Sequence, residues 1–381
     1  MSAGVRVPSA DGSTRVGSGR RRAAGFSLIE LMIAMVLGLL LIGGTITIFT
    51  ANVRSAELGQ AIATMQANAR YALDEMTRDV RAAGFRGCAD ADDTRLEVSM
   101  AGAPLDATNP GASAVLGAGV ETGGWNPSLP PGYTPPSGSG APVVGTEALL
   151  VQYAEAPGEA LLADMSGTSG ALAIAGERYG LEAGDLAIVS GCGGGDLFGI
   201  DTRAAVAGGV SLQPSASLSS AYAIETGEGG VTRVMPFVSV LYYIGDTGRR
   251  TGAGDVVRSL YRQSFPYTFA TNPPLELVEG VDQLRLAFGM SLPSGETRFV
   301  RASDAGYDPA AVTSVRVGLL TSSRERLDGD ASTRRFSLAG QSVQPASGTA
   351  TGAVYPADQR LRIGFERSVT VRNRALAGRS L

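Results

Sequence analysis

Residues 31–53 run 23 positions without a charge, dominated by Leu, Ile, Met and Val and interrupted by Gly38, Gly43 and Gly44. At about 1.5 Å per residue, a helix of this length spans a hydrocarbon core of about 30 Å. The pattern therefore predicts a transmembrane helix. The run exceeds the roughly 7–15 apolar residues of a cleaved secretory signal, and no clear A-x-A site follows it at the expected place. Beyond Val53 the pattern becomes one-sided. Leu58, Ile62, Met65, Ala69, Leu73, Met76 and Val80 recur at spacings of 3 and 4, the signature of an amphipathic helix. Arg54, Glu57, Gln66, Arg70, Asp74, Arg78 and Asp79 populate its other faces, with Asp74 and Arg78 placed as an i, i+4 ion pair. No proline occurs from Phe26 to Gly84, and Gly84 suits a helix C-cap. The two patterns predict one nearly continuous helix of about 55–60 residues, apolar all round in its first half.

Residues 89–145 are rich in Gly, Pro, Ser and Asp and read as loop, with Trp125 anchoring it by core packing. Strand signals follow at 148–153 and 185–190. Residues 237–244 and 256–263 flank "GDTGRRTGAGD" as a hairpin with a long turn. Period 2 is clear in Leu284, Leu286 and Phe288, in Val315, Val317 and Leu319, and in Leu361, Ile363, Phe365, Val369 and Val371. Such alternation predicts half-buried antiparallel strands with one apolar face. The one-sided half of the helix supplies cover for that face. The predicted architecture is α+β: a long N-terminal helix over 26–84, membrane-spanning over 26–53, packed on a β-rich globular head over 85–381 with an antiparallel sheet.

Composition narrows the chemistry. The 381-residue chain is 44% hydrophobic and has no His and no Lys, so all 32 of its basic residues are Arg. Histidine bases, Schiff-base lysines and Walker lysines are excluded. "GCGGGD" and "TGAGD" lack the Lys and the following helix of a phosphate loop. "ADADD" at 89–93 and the turn between Asp246 and Asp255 lack calcium-loop spacing. The expectation is a non-enzymatic protein with no cofactor, metal site or small-molecule substrate. Formal net charge is −4, and residues 1–25 carry five Arg against Asp11, leaving −8 for the rest. An acidic body argues against direct nucleic-acid binding. Arg20, Arg21 and Arg22 ahead of the apolar run predict a cytoplasmic N-terminus and an exported head.

Outside the cytoplasm the two cysteines, Cys88 and Cys192, are able to bridge; two unrelated buried thiols are the other reading. Cys88 lies just past the predicted helix and Cys192 just after a predicted strand. A bridge would close a loop of about 100 residues, worth roughly 4 kcal/mol in the chain-entropy model, and would staple head to helix.

Glu30 does not fit a plain anchor, because a carboxylate at the start of a spanning helix costs free energy unless it is partnered. The stretch "GFSLIELMIAMVLG" resembles the N-terminal signature of type IV pilins and type II secretion pseudopilins: basic leader, Gly, Phe, three residues, Glu, apolar helix. The resemblance implies cleavage by a prepilin peptidase between Gly25 and Phe26, after a leader (1–25) longer than is usual in this class. It implies N-methylation of Phe26 and pairing of Glu30 with the α-amine of a neighbouring subunit. "TRDVRAAGFRGC", "GTEALLVQYA", "VSGCGGGDLFGI", "ELVEGVDQLRLAFG", "SVRVGLLTSS" and "DQRLRIGFERSVTVRNRA" resemble the PilW family of minor pilins. That likeness implies a subunit near the pilus tip that helps to initiate assembly with other minor pilins, the major pilin and a tip adhesin. It would reside in the inner membrane, head in the periplasm, before joining an extracellular pilus. The competing reading is a GspJ-like minor pseudopilin of a type II secretion system. A plain membrane-anchored binding module would show no leader cleavage.

Overall fold

The apolar run and the one-sided run form one helix, α1 (Leu28–Ala82, 55 residues), closed by Gly84 at φ +74°, a left-handed position that favours glycine. The structure is a computed structural model that describes residues 25–88, 96–99, 114–130, 133, 135–225, 230–264, 273–292, 294–327, 332–346 and 353–375. The basic leader and the "ADADD" stretch lie outside the described residues. The chain divides into two units, Met1–Glu57 and Leu58–Leu381.

In the first unit, the described residues are exposed almost without exception, Phe26, Leu28, Leu40, Leu41 and Phe49 among them. Leu28–Ala82 is the described helix long and apolar enough to cross a membrane, with an 18-residue window of mean hydropathy 2.5. The hydroxyls of Thr45, Thr47 and Thr50 donate to carbonyls three or four residues back, at 2.8, 2.7 and 3.0 Å. Polar side chains satisfied within their own helix are compatible with a lipid or protein surround.

The second unit is β-rich. β1 (Leu96–Ser99), β2 (Val115–Glu121), β3 (Gly124–Asn126), β4 (Ala141–Pro142), β5 (Glu147–Ala154), β6 (Glu159–Ala160), β7 (Leu172–Ala175), β8 (Leu186–Gly191), β9 (Gly194–Val206), β10 (Gly209–Pro214), β11 (Arg233–Arg250), β12 (Val256–Ser264) and β13 (Leu275–Glu279) form one large sheet. Its main path runs β3-β2-β5-β11-β8-β9-β10-β7. The remaining strands are β14 (Val281–Ser291), β15 (Thr297–Val300), β16 (Val312–Arg326), β17 (Phe336–Leu338), β18 (Gln341–Pro345), β19 (Val354–Tyr355) and β20 (Arg360–Thr370). They form a four-stranded sheet, β15-β14-β16-β20, and a small one, β17-β18-β19. Pairing is antiparallel except for β1 with β9 and β18 with β19. A four-residue helix, α2 (Arg372–Ala375), follows β20.

The predicted apolar rows meet across strands: Leu284 faces Leu319, Leu286 faces Val317 and Phe288 faces Val315. Ala72, Leu73, Met76 and Val80 of α1 share the resulting core with Leu149, Val240 and Tyr242 of the large sheet. The helix thus covers the apolar face, as the alternation requires.

Three expectations need correction. Residues 89–145 are not simply loop. Within them β2 is a core strand with Val115, Ala118 and Val120 buried. Its Gly117 reads as a turn residue, yet it sits under the ring of Phe288, which leaves no room for a side chain. Trp125, on β3, packs edge-on against Tyr243, with ring centroids 6.1 Å apart. Second, β14 is buried on both faces, Gln283 and Arg285 included. Third, Arg360 and Arg362 are buried in β20, whereas Leu361, Ile363 and Phe365 are half-buried.

On β14 the burial is met by polar partners, Gln283 bonding to Val354 O and Arg285 to Glu147 at 3.3 Å; the cause of the third is a closed ion cluster. Arg362 Nε donates to Asp282 Oδ2 at 2.7 Å, and its other nitrogens clasp both oxygens of Asp358 at 2.7 and 2.9 Å. Arg360 Nε reaches Asp358 at 2.9 Å, and its Nη2 reaches Asp282 at 3.4 Å. Tyr355 from β19 lies under the Arg362 guanidinium, 4.5 Å from its ring centre. Two bidentate-capable cations and two carboxylates neutralise each other there, which is the condition for keeping charge out of water.

Asp282→Ala leaves two guanidiniums buried with half their acceptors. It should lower unfolding free energy by about 3–5 kcal/mol, read from denaturant unfolding of the full chain in detergent. Burial pushes the Asp358 carboxyl up, but hydrogen bonds and charge from Arg362 outweigh it and hold the group below its ordinary 3.8. The unfolded chain then takes up the proton first. The stability Asp358 contributes is complete well above 3.8 and drains as pH falls below that value and through the lower folded pKa. Melting temperature should therefore drop as pH falls from about 5 to below 3.8, and by less in Asp358→Asn.

Candidate functional site

The residues singled out by the sequence fall in two places. Gly25, Phe26 and Ser27 are an exposed, non-helical lead-in to α1, and the Leu31 amide donates to Ser27 O at 3.1 Å to start the helix. Glu30 stands in the first helical turn with its side chain exposed. A carboxylate there is favoured by the helix dipole. Around it the surface is apolar: Leu28, Ile29, Leu31, Met32 and Ile33 are all more than half exposed.

Cys88 and Cys192 lie in the second unit and form a disulfide, with Cα atoms 4.7 Å apart. Cys192 occupies the turn between β8 and β9, so "GCGGGD" is a hairpin tip fixed to the chain just past the helix. Asp196 at its end is buried. It accepts from Ser99 Oγ at 2.7 Å, Ser219 Oγ at 2.7 Å and the Tyr222 hydroxyl at 2.6 Å. Of the turn carboxylates weighed as ligands, Asp246 receives Arg250 at 3.5 Å and Asp255 receives Arg326.

The docking surface of α1 depends on a residue the sequence reading assigned to another face. Asp79 has no exposed surface. Its Oδ1 accepts from the Tyr153 hydroxyl of β5 at 3.0 Å. Its Oδ2 accepts from the Tyr242 hydroxyl of β11 at 2.6 Å and from Arg262 Nη2 of β12 at 3.3 Å. Burial first, and then the charge of Asp79, push both phenols well above their ordinary 10.0, so they remain donors. One helical carboxylate thereby joins three strands. Asp79 follows Ala72 and Met76 at helical spacing, which is the signal that would have placed it inward.

The Asp74–Arg78 pair is not made. Arg78 turns to Glu75, at 2.5 Å, and Asp74 pairs with Arg367 of β20. The helix end is held by backbone as well. Gly84 N donates to Gln152 O at 2.9 Å and Ala154 N to Phe85 O at 2.8 Å, so the chain leaves α1 beside β5. Asn373 Nδ2 reaches the last helical carbonyls, Ala82 O at 3.2 Å and Ala83 O at 3.0 Å.

Asp79→Ala would strand two buried hydroxyls and a guanidinium. We expect a loss of about 3–5 kcal/mol, against about 1 kcal/mol for Tyr242→Phe, which removes one donor. Thermal unfolding of the full chain followed by near-ultraviolet circular dichroism measures both.

Two family models match the chain. The Prokaryotic N-terminal methylation motif matches residues 20–46, and PilW, the Type IV Pilus-assembly protein W, matches residues 241–373. No curated protein and no solved structure matches it. The first region holds Gly25, Phe26 and Glu30 with the apolar start of α1. The second holds the whole four-stranded sheet on which the second part of α1 docks. The methylation motif implies processing by a prepilin peptidase and assembly with other pilins, and with the apolar helix it points to membrane anchoring and incorporation into a pilus. The PilW family is structural in role. The two family matches, at the start of the long helix and over the four-stranded sheet, support a PilW-like type IV pilin.

Proposed function

We propose that the chain is a minor pilin that acts near the pilus tip and helps to start polymerisation with other minor pilins, the major pilin and a tip adhesin. The observation that carries this is the first half of α1, an exposed apolar helix with one carboxylate in its first turn. Such a surface needs lipid before assembly and neighbouring helices after it. Cleavage between Gly25 and Phe26 would leave Phe26 as an N-methylated terminus and Glu30 as the fifth residue. A neighbour's α-amine would then offset the cost of placing Glu30 in an apolar surround. The head faces the periplasm while the helix is in the inner membrane. The match of 241–373 to the PilW model supports a pilus subunit over a GspJ-like secretion pseudopilin.

Mass spectrometry of membrane-extracted protein should find a mature chain starting at N-methylated Phe26. A bulky replacement such as Gly25→Leu should accumulate uncleaved precursor, and normal maturation of that variant would refute the peptidase assignment. Glu30→Ala should insert into the membrane and yet leave fibres at least tenfold depleted of the subunit. Wild-type piliation in that variant counts against the paired charge.

A further inference from the structure

Four arginines converge where β20 and α2 meet the end of α1. Arg78, Arg81, Arg367 and Arg372, with Asp74 and Thr77, line a shallow cleft of about 370 Å³. Asn373 sets this arrangement, because its bonds to Ala82 O and Ala83 O hold the chain after β20 against the helix end. Two of the four cations are committed, Arg78 to Glu75 and Arg367 to Asp74, the latter also within 3.4 Å of Thr77 Oγ1. Arg81 and Arg372 are exposed and make no ion pair among the described residues. The buried Asp79 beside them is already saturated by Tyr153, Tyr242 and Arg262.

Several other exposed or half-exposed arginines of the head have acidic partners: Arg249 with Glu276 and Glu279, Arg301 with Asp304, Arg326 with Asp255. Exposed arginines without an ion pair occur elsewhere among the described residues, Arg298 and Arg324 among them, but Arg81 and Arg372 line one cleft together. We propose that this cleft is a docking site for an acidic segment of a neighbouring subunit, with a pair of carboxylates received by Arg81 and Arg372. The inference rests on the pilus reading for the identity of the partner. Guanidinium forks fit carboxylates in the plane. The Asp74 wall and the acidic body disfavour a long polyanion such as nucleic acid, which needs an extended basic track.

The test uses the full chain in detergent micelles and labelled hexaglutamate, read by fluorescence anisotropy at low salt. The double variant R81Q/R372Q should bind roughly five- to tenfold more weakly than wild type, the scale of two exposed charge pairs, while R298Q, an exposed arginine on β15, should bind as wild type. Equal binding by R81Q/R372Q overturns the proposal. So does tighter binding of a 20-base-pair DNA duplex than of hexaglutamate to the wild-type chain. In cells, R81E/R372E should be processed and inserted normally but recovered from sheared fibres at least fivefold less than R298Q, and equal recovery overturns the subunit as partner. Absence of the wild-type chain itself from fibres instead refutes the pilus reading, while the hexaglutamate comparison still decides the chemistry of the cleft.

Discussion

Asp79 has no water to lean on, and the groups that satisfy it come from strands that lie far away in sequence. Tyr153, Tyr242 and Arg262 sit on β5, β11 and β12, and each gives a hydrogen bond to a helical carboxylate. A charge buried in this way is intolerant of displacement, since sliding the helix by one residue would leave it unpaired. Apolar packing of Leu73, Met76 and Val80 supplies attraction between helix and sheet but accepts many registers. The carboxylate selects one. The disulfide from Cys88 to Cys192, the Gly84 exit beside β5 and the Asn373 contact then act on a helix end already fixed in register.

A fixed register matters because the same helix carries the apolar surface that meets lipid or other subunits. Its first part has no stabilising core of its own and depends on its surround. Its second part is held by the head. A helix can change surroundings without unfolding only if its backbone and polar side chains are satisfied internally. Thr45, Thr47 and Thr50 meet that condition by bonding back to their own helix. Glu30, exposed in the first turn, carries a charge whose free energy rises when its surround becomes apolar.

What the sequence revealed follows the range of the interactions involved. The N-terminal motif and the long helix are local patterns, and the helix end at Gly84 is legible from neighbours alone. Alternation in β14 and β16 also located the apolar face correctly. It failed for the opposite face, because Gln283, Arg285, Arg360 and Arg362 look like solvent-facing positions until their partners, distant in sequence, are known: Val354 O for Gln283, Glu147 for Arg285, and Asp282 for both Arg360 and Arg362. Within 89–145 the glycine content hid β2 for a similar reason: the ring of Phe288, far along the chain, lies over Gly117 and leaves no room for a side chain. The cleft at Arg81 was hidden because Arg367 and Arg372 arrive from the far end of the sequence.

The absence of lysine links the two ends of this picture. A buried cluster such as Asp282, Asp358, Arg360 and Arg362 needs each cation to contact two carboxylates at once, and both guanidiniums do. An ammonium offers a point charge without that planar fork and is harder to dehydrate. The same fork, left without a partner at Arg81 and Arg372, presents planar donors ready for a carboxylate of another chain. Within the head the carboxylate is supplied by β14 and by the turn before β20, so the contact stabilises the fold. At the end of α1 Asp74 is taken by Arg367 and Glu75 by Arg78, and no carboxylate pairs with Arg81 or Arg372 among the described residues, so the same chemistry is directed outward, at the place where the helix register is most tightly defined.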